Sequence, residues 1–229
     1  MSVRPGAGDG LGGMAYDADS ERGYRVYVRE GETYAPYLVL TNDYGGQILL
    51  LREHLLDEPR AYGDGRRNSA AYGGSEIDEF LNGAFLALLG PVPREKIVES
   101  DIAVTAPSAL GVTGTETVQM TRKVFLLSYT EIGMPASSVI PAEGEALAFF
   151  ETAERRVARF ADGTASSWWL RSVDTWYDNV AIGVGPDASV GGGGVSTPGG
   201  VRPAFCVGRE TAVAESGDVL PDRKVYVLA

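Results

Sequence analysis

This chain has little that can carry metal or nucleophile chemistry. Its 229 residues contain one cysteine, Cys206, and one histidine, His54. A lone cysteine forms no intrachain disulfide, and a structural zinc site needs about four Cys/His ligands. Cys-His and Ser-His-Asp catalysis would both rest on His54 alone. His54 precedes Leu55 and Leu56 and reads as a histidine at the edge of the core. Cys206, between Phe205 and Val207, reads as a small buried hydrophobe. The expectation is no metal, no cofactor and no enzyme.

Long apolar runs are missing too. The clusters at 37–40 and 146–150 fall far short of the roughly 20 residues of a membrane span, so no membrane insertion is expected. The N-terminus, Met1-Ser2-Val3-Arg4-Pro5-Gly6, lacks the apolar segment of a secretory signal. Export by that route is not expected, and the location stays open between a particle surface and the cell interior before assembly. Basic residues are scarce: 20 against 31 acids give a net charge of −11. The pairs Arg66-Arg67 and Arg155-Arg156 are short and scattered. That field argues against nucleic acid and against an anionic membrane.

Glycine is abundant, at 30 residues, but no phosphate loop is present. Gly191 to Gly194 are followed neither by Lys-Ser/Thr nor by a helix pattern, as the nucleotide motifs require. Carboxylate pairs such as Glu143/Glu145 and Asp174/Asp178 are what chance supplies in an acidic chain.

The patterns that are present predict an α+β domain over 24–208. A glycine-rich flexible leader over 1–23 precedes it, and an extension over 209–229 follows. Alternation at 24–28 and apolar runs at 37–40, 47–51 and 123–128 predict strands, with a hairpin loop over 41–46. Ser75 caps a helix over 76–89 whose apolar face is Ile77, Phe80, Leu81, Ala84, Phe85 and Leu88. A second helix is expected over 145–160. A hairpin joins 179–184 to 189–195 through a type I turn at Gly185-Pro186-Asp187-Ala188. Pro203 places the strand over 201–207 at an edge or a bulge, and 224–228 is a last strand near the first. Trp168 and Trp169, adjacent on a strand, point to opposite faces. Asp174 to Asn179 is polar, aromatic and loop-like, the composition of adaptable binding loops.

The ordered combination of Trp168-Trp169-Leu170-Arg171-Ser172, the Val/Gly-rich stretch 179–195, and Gly200-Val201-Arg202-Pro203-Ala204 resembles a group of gut bacterial and phage proteins. Upstream, the runs at 37–40, 48–51, 77–85 and 123–128, followed by Glu131, match as well. This group is similar to the C-type-lectin-fold variable proteins of diversity-generating retroelements. The resemblance implies a lectin-like fold of two helices on small antiparallel sheets, with long loops and a C-terminal hairpin. It also implies a non-enzymatic adhesin or receptor-binding role toward a protein or glycan, with an oligomer possible. The residues it assigns to the ligand surface are Val173, Asp174, Thr175, Trp176, Tyr177, Asp178, Asn179, Ile182, Val184, Asp187 and Ser189, the last four as outward-facing hairpin positions. Trp168, Trp169, Arg171 and Arg202 become scaffold, the arginines bracing loops through carbonyls or acids. Adenine-directed diversification does not produce tryptophan from Asn codons, which makes Trp176 a fixed position or one with another template codon.

The competing class is a fixed structural component of a phage particle or surface layer. Sulfatase-modifying oxidases share the implied fold but work through paired cysteines, which one Cys excludes. A calcium lectin would use Asp174, Asp178 and Asn179, yet its Glu-Pro-Asn element is absent.

Overall fold

A computed structural model of the chain describes residues 10–17, 25–66, 68–220 and 223–228. In chain order the strands are β1 (Arg25–Glu30), β2 (Thr33–Tyr44), β3 (Gln47–Arg52), β4 (Ile97–Val98), β5 (Ser100–Thr105), β6 (Thr117–Arg122) and β7 (Val124–Phe125). They continue with β8 (Ala158–Arg159), β9 (Ala165–Ser166), β10 (Trp168–Val173), β11 (Val180–Val184), β12 (Val190–Gly194), β13 (Ala204–Val207), β14 (Val213–Leu220) and β15 (Arg223–Leu228).

Eight strands form the main sheet, in the order β14-β15-β1-β2-β3-β13-β4, with β7 also pairing β13. Gly45 and Gly46, both at positive φ (58° and 83°), make the two-residue turn between β2 and β3. Positive φ at both central positions matches the right-handed strand twist and favours glycine there. β2 runs further than the apolar cluster at 37–40 suggested, and register shifts between Val39 and Tyr44 bend it. The last strand does meet the first: β15 pairs β1 in parallel, Val227 opposite Tyr27.

β13 is the hub. Ala204 and Phe205 pair with Leu51 and Leu50 on one side and with Phe125 and Val124 on the other. Cys206 and Val207 pair likewise with β3 and β4. All four residues are buried, which explains a continuous apolar run in place of alternation. Burial pushes the Cys206 thiol up to about 12. Pro203 sits just before the strand, where its carbonyl accepts from the Arg52 N–H, so the ladder loses no donor. The strand is therefore central, where an edge or bulge was expected.

The long helix is real but bent in register. Ser75 accepts from the Asp78 N–H, and the run proceeds as α-helix Glu76–Phe80, π-turn Leu81–Phe85 and α-helix Leu86–Leu88. Each π-turn inserts an extra residue. The buried face is accordingly Ile77, Leu81, Phe85 and Leu89, while Leu88 and Ala84 are exposed and Phe80 is half-buried. Asn82, inside the π-turn, clamps the Val124 backbone through Nδ2 to the carbonyl (2.9 Å) and through Oδ1 to the N–H (3.1 Å).

The second helix over 145–160 is absent. Two 3-10 turns, Ala148–Phe150 and Ala153–Arg156, are broken by extended Thr152, and the chain then enters β8. The guanidinium groups of Arg155 and Arg156 bind the carbonyls of Phe149 and Ile132. Tertiary bonds have replaced helical ones. Besides the long helix the described residues hold only the six-residue helix Pro91–Lys96. The fold is mixed α/β and mostly sheet, and its main sheet is large and partly parallel rather than small and antiparallel.

Within the expected leader, Leu11–Met14 forms a 3-10 turn with Leu11 and Met14 buried in the core. Apolar contact holds this stretch, which the glycine content had suggested was loose. Residues 1–9 and 18–24 lie outside the described set.

The interior is organised around Arg171. Its Nη1 and Nη2 donate to the two oxygens of Glu131, each at 2.7 Å. Nε donates to Ala103 O, Nη1 also to Leu126 O, and Nη2 to Glu143 O. Burial opposes the charge on Arg171, but Glu131, its hydrogen bonds and the nearby Glu143 outweigh burial and raise its pKa. Glu143 is fully buried, which raises its pKa despite Arg171 and the donors of Ser172 and Thr105.

A raised carboxylate pKa contributes stability below the unfolded value of 4.5, and that contribution fades as pH climbs through the folded pKa. Glu143→Gln keeps the shape and does not titrate. The expected result is a stability advantage over wild type that is small near pH 4 and widens as pH rises, read from urea unfolding at a series of pH values. A difference that shrinks with rising pH would contradict the burial effect.

Candidate functional site

All six residues of β10 are buried. Trp168 Nε1 donates to Arg156 O and Trp169 Nε1 to Arg60 O, so both indoles are tied to backbone. The strand pairs Trp168 with Val184 and Trp169 with Gly183, placing the two rings on opposite faces. Arg202 is buried, donates from Nε to Arg52 O and lies over the Trp168 ring at 5.4 Å. Burial lowers its pKa to about 10. Nη1 of Arg202 has no partner among the described residues. Arg171 and Arg202 thus brace carbonyls, and Arg171 an acid as well.

Past Val173 the chain turns outward on a short, heavily bonded loop. Thr175 is buried; its N–H and hydroxyl both reach Val139 O, and its carbonyl accepts from Thr113 N–H. Asp174 Oδ1 accepts from the Trp176 N–H, closing an Asx turn. The Asp178 carbonyl accepts from Ala70 N–H and the Asn179 carbonyl from Val195 N–H. Four separate segments hold this loop from below. Its two aromatics nonetheless face solvent: Trp176 is 63% and Tyr177 50% exposed.

Val112 is 65% exposed on the adjoining loop, where a Cβ on Gly111 would sit 3.8 Å from Asp178 Cβ. Three non-glycine residues take positive φ among the described residues, namely Asn68, Thr113 and Ala188. Thr113 bonds Thr175, Asn68 closes the turn that presents Ala70 to Asp178, and Ala188 ends the hairpin turn. A β-branched residue at φ 55° is strained by roughly 1–3 kcal/mol, and such strain clusters at functional sites.

The hairpin positions divide differently from the expectation. Ile182 and Val184 are buried, as are Val173 and Thr175, so none of these four presents a side chain to a ligand. The outward face of β11 and β12 is Gly183, Gly191 and Gly193. A one-residue shift in parity inverts which side chains face out. Asp187 and Ser189 are exposed and bonded to each other, Ser189 N–H and Oγ donating to Asp187 Oδ1. Those bonds, the side-chain one foremost, lower the Asp187 pKa. With Ala188 N–H to Gly185 O they build a type I turn followed by a left-handed residue. The assigned residues left to meet a ligand are Trp176, Tyr177 and Asn179 on the loop and Asp187 and Ser189 at the hairpin turn, with half-buried Asp174 and Asp178 at the rim.

Sequence reasoning missed Val112, and it missed Glu131 and Glu143 as the partners of Arg171. Nothing in local composition marks Val112, because only long-range folding brings its loop to residue 175. Among the described residues no three His, Cys, Asp or Glu side chains gather as a metal site, and no helix is long and apolar enough to cross a membrane.

The sequence model for the domain of unknown function DUF6273 matches residues 45–209. The chain belongs to this family. The DUF6273 match takes in β3 to β13, the Arg171 network and every residue assigned to the ligand surface. β1, β2 and the β14-β15 hairpin lie outside it. No curated protein and no solved structure matches the chain.

Scaffold and surface predict opposite responses to truncation. Ile182→Ala is expected to cost about 2–5 kcal/mol, the range for emptying a core position. Asn179→Ala should stay within about 0.5 kcal/mol of wild type. Denaturant unfolding of both variants checks this, and equal losses would contradict the assignment.

Proposed function

We propose that this DUF6273 chain is a non-enzymatic binding protein whose Trp176-Tyr177 loop meets a protein or glycan ligand. The observation that carries the reading is the pairing of exposure with rigidity. Two large aromatics stand in solvent on a loop whose backbone is bonded to four other segments. Rigid aromatic anchors lose little entropy on binding, and such residues carry much of the energy at interfaces. The neighbouring exposed Val112 widens the apolar surface.

The same reading extends to a C-type-lectin-like architecture and to variable proteins of the diversity-generating retroelement type. One helix beside a curled sheet, with a separate three-stranded sheet carrying the display loop, is compatible with it. On this reading the diversifiable positions are the exposed Tyr177 and Asn179 and the rim acids. The buried Val173, Thr175, Ile182 and Val184 act as scaffold.

The test presents the full chain and its Trp176→Ala/Tyr177→Ala variant to arrays of glycans and of bacterial surface proteins. The expected result is at least one partner bound by the wild type and lost by roughly a hundredfold or more in the variant, at an unchanged melting temperature. Binding that survives the double substitution, or a variant that melts much earlier, would overturn the assignment.

A further inference from the structure

The Trp176-Tyr177 loop has a shape and a charge as well as two rings, and both bear on what it meets. Clefts are lined by Tyr16 and Tyr44, by Trp169 and Thr197, by Asp78 and Lys123, and by Glu30 and Phe80. None of them is bordered by Trp176, Tyr177 or Val112. With Trp176 63% exposed, Val112 65% and Tyr177 50%, these side chains project from the surface and do not line a hollow. Sites for small ligands and sugars are concave. A projecting ring is instead the part that enters a pocket on a partner.

The backbone beneath the rings has little left for a hydroxyl-rich ligand. The N–H groups of Asp174, Thr175, Trp176 and Tyr177 donate to Val180 O, Val139 O, Asp174 Oδ1 and Asp174 O. The carbonyls of Asp174, Thr175, Asp178 and Asn179 accept from Tyr177, Thr113, Ala70 and Val195. The hydroxyls of Thr175 and Thr113 are turned to the carbonyls of Val139 and Val112. The hydrogen bonds that make the loop rigid are therefore the ones a sugar would need. What the loop still offers is mainly apolar and aromatic area.

Charge narrows the partner further. The segments 110–116, 134–140 and 173–179, which meet at the loop, contain Glu116, Asp174 and Asp178 and no lysine or arginine. Glu116 folds back over Gly114, next to the Thr113 that bonds Thr175. Among the described residues neither Asp174 nor Glu116 has a cationic partner. Arg66, on the turn before Ala70, is paired with Asp64. A second copy of this chain fits poorly, because it brings acid to acid at a net charge of −11. The three exposed side chains also offer only roughly 350 Å², well short of the about 800 Å² that each side of a stable interface covers. A cationic rim on the partner would fix register and speed encounter, and a cation also stacks favourably on an exposed ring. We propose that the partner of this loop is a protein whose apolar pocket takes Trp176 and whose rim carries lysine or arginine facing Asp174 and Glu116. This deepens the binding role argued above for the loop and rests on it.

The test uses hosts that differ in one property at a time: neutral β-cyclodextrin, the same ring with amino groups on its rim, the same ring with carboxylates, and the open-chain glucose oligomer of equal length. Each is titrated into the ¹⁵N-labelled full chain to about 20 mM, a range that reaches millimolar dissociation constants. The expected result is a saturable shift of the Trp176 indole N–H with the cyclic hosts and none with the open chain. The amino rim should bind at least about threefold tighter than the carboxylate rim near 20 mM salt, a preference that fades by about 500 mM. Asp174→Asn keeps the acceptor of the Asx turn, and together with Glu116→Gln it should remove most of that preference while the neutral ring binds as before. The salt series needs no variant and covers the case in which the double substitution does not fold. No shift with any cyclic host, an equal shift with the open chain, a carboxylate rim bound as tightly as the amino rim, or a preference insensitive to both salt and the double substitution would overturn the proposal. In the array of glycans and surface proteins, a glycan partner lost in Trp176→Ala/Tyr177→Ala would overturn it and leave the loop's role standing. Binding that survives that substitution would remove the role itself.

Discussion

Arg171 is fully buried, and the polar groups around it are arranged to keep its charge paired in a low-dielectric interior. Glu131 answers it with both oxygens, and three main-chain carbonyls take the three remaining donors. Removing one partner of such a pair leaves an uncompensated charge, worth about 3–5 kcal/mol. The geometric consequence matters more for function. The carbonyls belong to β5, to the stretch after β7 and to the loop before residue 144, so one guanidinium fixes where three parts of the chain sit relative to β10. Tyr62 and Tyr44 extend the network, donating to Arg171 O and to Glu131.

The surface inherits that rigidity. β10 runs from the two indoles through Arg171 to Val173 without an exposed residue, and the loop that follows is bonded at Thr175, Asp178 and Asn179. Trp176 and Tyr177 are therefore held in place without being covered. Two acids that the resemblance assigned to the ligand surface have another task here: Asp174 closes an Asx turn and Asp187 closes the hairpin. Both shape the turns at the two ends of β11.

Much of this was legible in the sequence, and the failures have physical causes. The Ser75 cap, the opposed tryptophans, the hairpin turn and the bracing arginines follow from local rules and hold. The helix face slipped at its end because a π-turn, invisible to a 3.6-residue period, shifts the buried position from Leu88 to Leu89. The helix over 145–160 failed because its arginines find partners elsewhere in the fold, Arg155 the Tyr16 hydroxyl and Arg156 the Ile132 carbonyl. Ile182 and Val184 were assigned outward because a hairpin with glycines on one face gives no apolar alternation from which to set parity. Arg171's partners lie 28 to 68 positions upstream, beyond the reach of any local pattern.

In the proposed reading, a fixed frame carries a separable contact surface. Sequencing this gene across the population it came from tests that most directly. Substitutions are expected to crowd at Tyr177, Asn179, Val112 and the rim acids, while Trp168 to Val173, Glu131, Glu143, Ile182 and Val184 stay constant. Substitutions spread evenly over the chain, or as frequent at the buried hairpin positions as at the exposed ones, would contradict it.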